Sequence, residues 1–166
     1  MVDVQVVGAR ERAMHAAAML RSSGLSVRLA PYLPSAAGLP NRGALTLLLW
    51  RPGHDPVLEE ALFADGTPSL HCWWGDADAE VGPFVVSGAG PCPRCQRCRQ
   101  PLSRSESPTL RAWALSWASL QAQAYLAHGT SELIGAQWSW SLGDPGLTST
   151  TWHRQEGCPT PGCGPL

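Results

Sequence analysis

Hydrophobic positions along the chain change period several times, and each change marks an element. Residues 4–8 are a short apolar run ending at Gly8, the pattern of a buried strand. From residue 10 to residue 22 the apolar positions Ala13, Met14, Ala17 and Leu20 follow helical spacing, and Gly24 ends the run. Residues 26–30 return to strand. Strand–helix–strand at the start implies a right-handed crossover and a parallel sheet. Residues 31–43 contain three prolines and two glycines and read as an irregular crossing loop. Residues 44–50 are then apolar almost throughout, as suits a central parallel strand covered on both faces.

Asp55 and Pro56 supply an N-cap and a first-turn proline, predicting a helix to about residue 64, before Gly66. Residues 69–74 are the next strand. Residues 81–91 read as a strand that ends in a glycine-rich turn delivering Cys92. Ser107 and Pro108 open the longest helix, 108–128, with Leu110, Trp113, Ala114, Trp117, Leu120 and Ala124 at three-to-four spacing and Gly129 after its end. Residues 135–142 and 148–155 form a hairpin around Gly143 and Gly146. The expected fold is α/β. A reduced Rossmann-like, mostly parallel sheet with helices occupies residues 1–91. A cysteine-rich, zinc-binding extension with a long helix and a β-hairpin occupies residues 92–166.

Composition narrows the chemistry. The chain is 166 residues long and 44% apolar, enough for a real core, while fifteen prolines and seventeen glycines demand many turns. With a net charge of −1 and no basic stripe, nucleic-acid binding is not expected. No run reaches the roughly 18 apolar residues of a membrane span. The first residues lack a signal sequence, so the expected location is cytoplasmic. All twelve basic residues are arginine, so any mechanism that needs a lysine is excluded.

Cytosolic thiols stay reduced, and clustered cysteines there read as metal ligands rather than disulfides. Cys92 and Cys95 form one close-set pair, and Cys158 and Cys163 form another after a long gap. Each turn can present two thiolates, and the gap lets a tetrahedral ion tie two distant parts of the chain together. Cys92, Cys95, Cys158 and Cys163 are the simplest ligand set for a structural zinc. Arg94, Arg97 and Arg99 on the same knuckle would offset the surplus negative charge. A redox dithiol at Cys92 and Cys95 is the competing reading, but it needs no second pair. Cys98 offers a third thiol on the knuckle and reads as free or partner-facing. His153 is an alternative ligand, and Cys72 reads as a small core residue.

A specific resemblance rests on Val81-Gly82-Pro83-Phe84-Val85-Val86, followed by Gly90-Pro91-Cys92-Pro93-Arg94-Cys95, a long helix, a β segment and Pro161-Gly162-Cys163-Gly164. This order resembles the ThiF/MoeB-like adenylyltransferases of the ubiquitin-activating-enzyme superfamily. It is most similar to the ThiF-like partners of YcaO cyclodehydratases in bacterial peptide natural-product clusters. The resemblance implies a partner that is a peptide-modifying enzyme of YcaO or another tailoring type. It also implies a precursor peptide as a further partner, and homodimers, which are common in this fold.

The departures bear on activity. Active members cradle ATP on a Gly-x-Gly-x-x-Gly turn, whereas this chain has Gly8-Ala9-Arg10-Glu11-Arg12-Ala13. The acidic residue that would hold ribose after the second strand is replaced by the run Leu29-Ala30-Pro31-Tyr32. Asp55 and Asp76 follow strands and could imitate a magnesium aspartate, with a helix cap as the plainer role of Asp55. The relatives carry a leader-binding winged-helix domain before the sheet. Here the sheet strand comes first, so another protein is expected to bind the leader. The second tail cysteine of the relatives is Pro165 here, which leaves Cys158 to serve instead.

The expectation is therefore no catalytic and no nucleotide-binding residue, and a zinc-stapled accessory or scaffold protein of ribosomal-peptide biosynthesis. A minimal adenylating enzyme with Arg10 or Arg12 near the phosphates is one alternative, and a sulfur-handling protein another. His54 and His71 stand at strand ends where ligands of open α/β sheets gather, but lone histidines are usually structural. Trp113 and Trp117 read as core or as a partner face. Trp73 and Trp74 point to opposite faces of one strand, leaving one for solvent or a partner. Residues 103–107 form a polar contact loop.

Overall fold

The computed structural model describes residues 3–30, 44–97 and 105–164. The chain order is β1 (Val4–Val7), α1 (Arg10–Ser22), β2 (Val27–Ala30), β3 (Leu45–Leu48), α2 (Pro56–Ala64), β4 (Ser69–Trp74) and β5 (Asp78–Val85). It ends with α3 (Pro108–His128), β6 (Ala136–Ser141) and β7 (Gly146–Thr151). The strands make one seven-stranded sheet in the order β2-β1-β3-β4-β5-β6-β7. The first four are parallel and the last three antiparallel.

Side-chain alternation divides the core between the two faces. Val4, Val6, Leu45, Leu47, Leu70, Cys72 and Trp74 meet Ala13, Ala16 and Leu20 of α1 and Leu110, Ala114 and Ala118 of α3. Val7, Leu48 and Trp50 face the other way, onto Leu58 and Leu62 of α2. Strand β4 is covered on both sides, which buries all six of its residues. This corrects the expectation for its tryptophan pair. Neither faces solvent: Trp74 lies in the larger core, and Trp73 lies on the opposite face under the Arg51 guanidinium, 3.6 Å from its ring centroid. A buried aromatic of this size contributes on the order of 4 kcal/mol through burial.

Local chemistry sets the helix ends. The Asp55 carboxylate accepts from the Leu58 N–H at 3.1 Å and Pro56 begins α2. Ser107 caps α3 in the same way through Leu110, and Gly129 ends it in the left-handed region. Strand β5 starts three residues earlier than its apolar run. Ala79 and Glu80 continue the ladder between β4 and β6, and a ladder satisfies backbone whatever the side-chain polarity. The hairpin's second strand begins at Gly146 and ends at Thr151. Residues 31–43, expected as a loop, and residues 103–104 of the polar contact loop lie outside the described residues.

Candidate metal centre and strand-end crevice

The first cysteine pair arises where β5 runs into a tight turn. The Cys95 N–H donates to the Cys92 carbonyl at 3.0 Å, and the Gln96 side chain holds the Pro91 carbonyl at 2.7 Å. Backbone-to-backbone bonds help to dock the tail on this turn. Gly88 N–H donates to Gly162 O at 2.7 Å, and Gly164 N–H to Gly90 O at 3.0 Å. Side chains would prevent that approach. A Cβ on Gly164 would sit 3.0 Å from Gly88 O, and one on Gly162, at φ +76°, would sit 2.5 Å from Ser87 Oγ. The glycines of the tail motif thus bring Cys163 to Cys92.

Four sulfurs converge as a result. The Sγ atoms of Cys92, Cys95, Cys158 and Cys163 all lie within 4.8 Å of one another. Cys92–Cys95 is 3.8 Å, Cys92–Cys158 is 3.6 Å and Cys95–Cys163 is 3.9 Å. A tetrahedral ion with metal–sulfur bonds near 2.3 Å requires sulfur–sulfur edges of about 3.8 Å. A disulfide requires roughly 2.05 Å, far shorter than any of these. The donor set and its dimensions are compatible with a metal site.

The surroundings also fit. Two backbone N–H groups, of Cys92 and Gln155, point at the sulfurs of Cys163 and Cys95, each at 3.3 Å. Such donors stabilise thiolate charge and orient ligands. Phe63 and Val85 form an apolar wall around Cys92, Cys95 and Cys163. As bare thiols, Cys95, Cys158 and Cys163 are shifted in different directions. Desolvation pushes Cys95 up to about 12 and also raises Cys163, while hydrogen bonds from Thr160 pull Cys158 down to about 6. A bound cation would favour the thiolate form that burial opposes at Cys95 and Cys163.

Two of the knuckle arginines take a carboxylate partner, while Arg94 also feels the charge of Cys92 and Cys158. Arg94 pairs with Glu60 of α2 at 2.9 Å, and Arg97 pairs with the same carboxylate. These bonds, the Arg94 hydrogen bond foremost, hold the Glu60 carboxyl below the usual range. They clamp the knuckle to α2, since α2 presents an acid at the knuckle's edge. Cys98 and Arg99 lie outside the described residues. His153 is exposed and outside the sulfur cluster. Cys72 is fully buried in β4, and desolvation pushes its thiol up to about 12, an inert core position.

The second candidate region is the crevice at the carboxyl ends of the parallel strands. The strand order reverses between β1 and β3, the place where open α/β sheets hold ligands. Gly8 packs so closely there that a Cβ would meet Leu49 Cβ at 2.8 Å. Beyond it, Arg12 donates to the Trp74 carbonyl at 2.9 Å, lies over the Trp74 ring at 4.8 Å and pairs with Glu106 at 2.5 Å. The Trp74 indole N–H donates to the other Glu106 oxygen at 2.8 Å. Ser107 N–H bonds Gly75 O, and Ser105 bonds Asp76, so the segment leading into α3 is fastened across the strand ends.

Farther along the same edge Arg51, only 6% exposed, bonds Glu80 at 2.9 Å and Asp78 at 2.6 Å. Desolvation raises the Glu80 carboxyl, and Arg51 opposes that rise. His71 is buried and donates from Nδ1 to the Trp50 carbonyl at 2.9 Å, while His54 tilts against the Trp50 ring. These histidines have structural partners. Reasoning from sequence missed Glu60, Glu80 and Glu106. No local signal marks them, because each meets its arginine only through the fold.

No protein-family model matches the sequence, and no curated protein matches it. Solved structures do share its fold. The heterocyclase TruD superposes with a TM-score of 0.72 at 20% identity, over 98% of this chain and 27% of TruD. Escherichia coli MccB, crystallised with MccA, gives 0.75 at 8% identity, over 96% of this chain and 66% of MccB. PaaA gives 0.70 at 12%, over 91% and 64%. The chain therefore shares its fold with these proteins, and it spans about a quarter of TruD and just under two thirds of MccB.

Proposed function

We propose that this chain is a non-catalytic, zinc-stabilised accessory protein of ribosomal-peptide natural-product biosynthesis. It binds a peptide-modifying enzyme, of YcaO cyclodehydratase or another tailoring type, and helps to present the precursor peptide. Two likenesses support the pathway class: one to a heterocyclase and one to a protein crystallised with MccA. The observation that carries the non-catalytic reading is the Arg12–Glu106–Trp74 lock. It ties α1, the end of β4 and the segment before α3 together with the chain's own side chains, in a chain whose Gly8 turn lacks the later glycines.

Zinc on Cys92, Cys95, Cys158 and Cys163 would supply a structural cross-link between the β5 turn and the tail. With four protein sulfurs around it, no position is left for water. The residues do the rest: glycines 162 and 164 seat the tail, and Glu60 anchors the knuckle through Arg94 and Arg97.

The test pairs two measurements. Co-purification with a modifying enzyme encoded nearby, and loss of that enzyme's peptide modification when this protein is removed, are expected. ATP–pyrophosphate exchange by the isolated chain is expected to be absent. Undiminished modification without this protein overturns the accessory role, and robust exchange overturns the non-catalytic one.

A further inference from the structure

Helices α1 and α3 lie side by side on one face of the sheet, and a groove of about 360 Å³ runs between them. Ala18 and Ala112 are too short to close the gap, so Met19, Pro108 and Leu115 are left lining it. Clefts that take ligands occupy roughly 300–1,000 Å³. The walls are mostly apolar, and His15 and Arg111 are the titratable side chains among them. Beyond the groove the outer face of α3 stays uncharged, with Ala112, Ser116 and Leu120 exposed. A solvated helix ordinarily carries polar and charged residues there.

Arg111 is out of place in the free chain. Among the described residues, every other buried or half-buried arginine is bonded: Arg12 to Glu106, Arg28 to Gln5, and Arg51 to Glu80 and Asp78. Arg111 is half-buried, yet its guanidinium has no ion pair or hydrogen bond among them. It also stands in the first turn of α3, where the helix dipole is positive and no acidic residue offsets it. Glu11, one turn before His15 on α1, is exposed and does not pair with it. A second polar group shares the condition. His15 Nδ1 is buried without a partner, although buried polar atoms are normally bonded.

From this we infer that the α1–α3 groove binds a peptide segment bearing a carboxylate between aliphatic side chains, with the carboxylate on Arg111. One anion relieves both the unpaired guanidinium and the positive helix end. The apolar walls then receive the flanking side chains, which a free inorganic anion lacks. The groove is open, and the uncharged face of α3 continues it toward Leu120, so an extended chain fits better than a compact ligand. The inference goes beyond the accessory role and stands apart from it, because the groove involves neither the cysteines nor the strand-end crevice.

Fluorescence anisotropy with the purified full chain tests it. The probes are labelled octapeptides with one central Glu among Leu and Ile residues, each with a Gln and a Lys counterpart. The Glu peptides should bind, and their Gln counterparts should bind about tenfold to a hundredfold more weakly. Arg111→Gln should remove that preference without lowering Tm, since it takes a cation away from a helix N-terminus. Arg111→Glu should turn the preference toward the Lys peptides, which misfolding could not do. Equal binding of Glu and Gln peptides overturns the inference, as does a preference that survives Arg111→Gln. A lower Tm for Arg111→Gln makes the arginine part of the fold and also overturns it. So does inorganic phosphate binding at Arg111 where no peptide binds, or a dimer that Arg111→Glu breaks, which gives the groove to a second copy. Co-purification with a modifying enzyme can succeed while every peptide fails, so the two readings fall separately.

Discussion

Arg12 and Glu106 form an ion pair at 2.5 Å across the strand-end crevice, and Trp74 bonds to both partners. Arg12 lies in the first turn of α1, and Glu106 immediately precedes Ser107, the cap of α3. The pair therefore links α1, β4 and α3 where they meet. The Arg12 guanidinium is thereby already paired.

Breaking the lock from one side leaves a part-buried charge. Glu106→Gln should lower unfolding free energy by about 1–3 kcal/mol, and Arg12→Met by a similar amount. A double-mutant cycle read by urea denaturation should return a coupling of roughly 1 kcal/mol or more. Additive effects would mean that the two side chains act separately.

Chelation tests the sulfur cluster. Purified protein should contain one zinc per chain, and a strong chelator should lower the melting temperature and expose the coordinated thiols to alkylation. Cys92→Ser or Cys163→Ser should abolish stoichiometric metal. Cys72 should stay unmodified after chelation and react only on unfolding, given its burial and a thiol raised to about 12.

Gly162→Ala addresses the same centre without touching a ligand. The new Cβ meets Ser87 Oγ at a positive φ, so the tail must shift. A cost of about 1–3 kcal/mol is expected, together with faster metal release in a chromophoric-chelator assay. Gly66→Ala, also at positive φ but with nothing near its Cβ, should leave the release rate unchanged.

Acid should destabilise the fold through His71. Burial lowers its pKa in the folded chain from the usual 6.5, so the unfolded chain binds the extra proton first. The contribution is complete above about pH 6.5. It falls by up to about 1.4 kcal/mol per pH unit below that, until the folded pKa is reached. His71→Asn retains a donor for the Trp50 carbonyl and should flatten this part of the stability profile. An unchanged profile would assign the acid sensitivity to other groups.

The sequence by itself determined the elements and the metal-type cluster, because both are written in short-range patterns. Apolar period separates the central strands from the helices, Asp55 and Ser107 mark helix starts by local hydrogen bonds, and close cysteine spacing marks each two-sulfur turn. The seating of the tail was not legible: Gly162 and Gly164 entered only as part of a motif, and their close approach to Ser87 and Gly88 is visible only in the fold. Tertiary structure alone decided the rest. Arg94 pairs with Glu60, Arg12 meets Glu106, and Trp73 is buried under Arg51, because each contact joins residues far apart in the chain. Charge partners and burial depend on which surfaces the sheet order brings together, and a pattern read within a few residues does not carry that information.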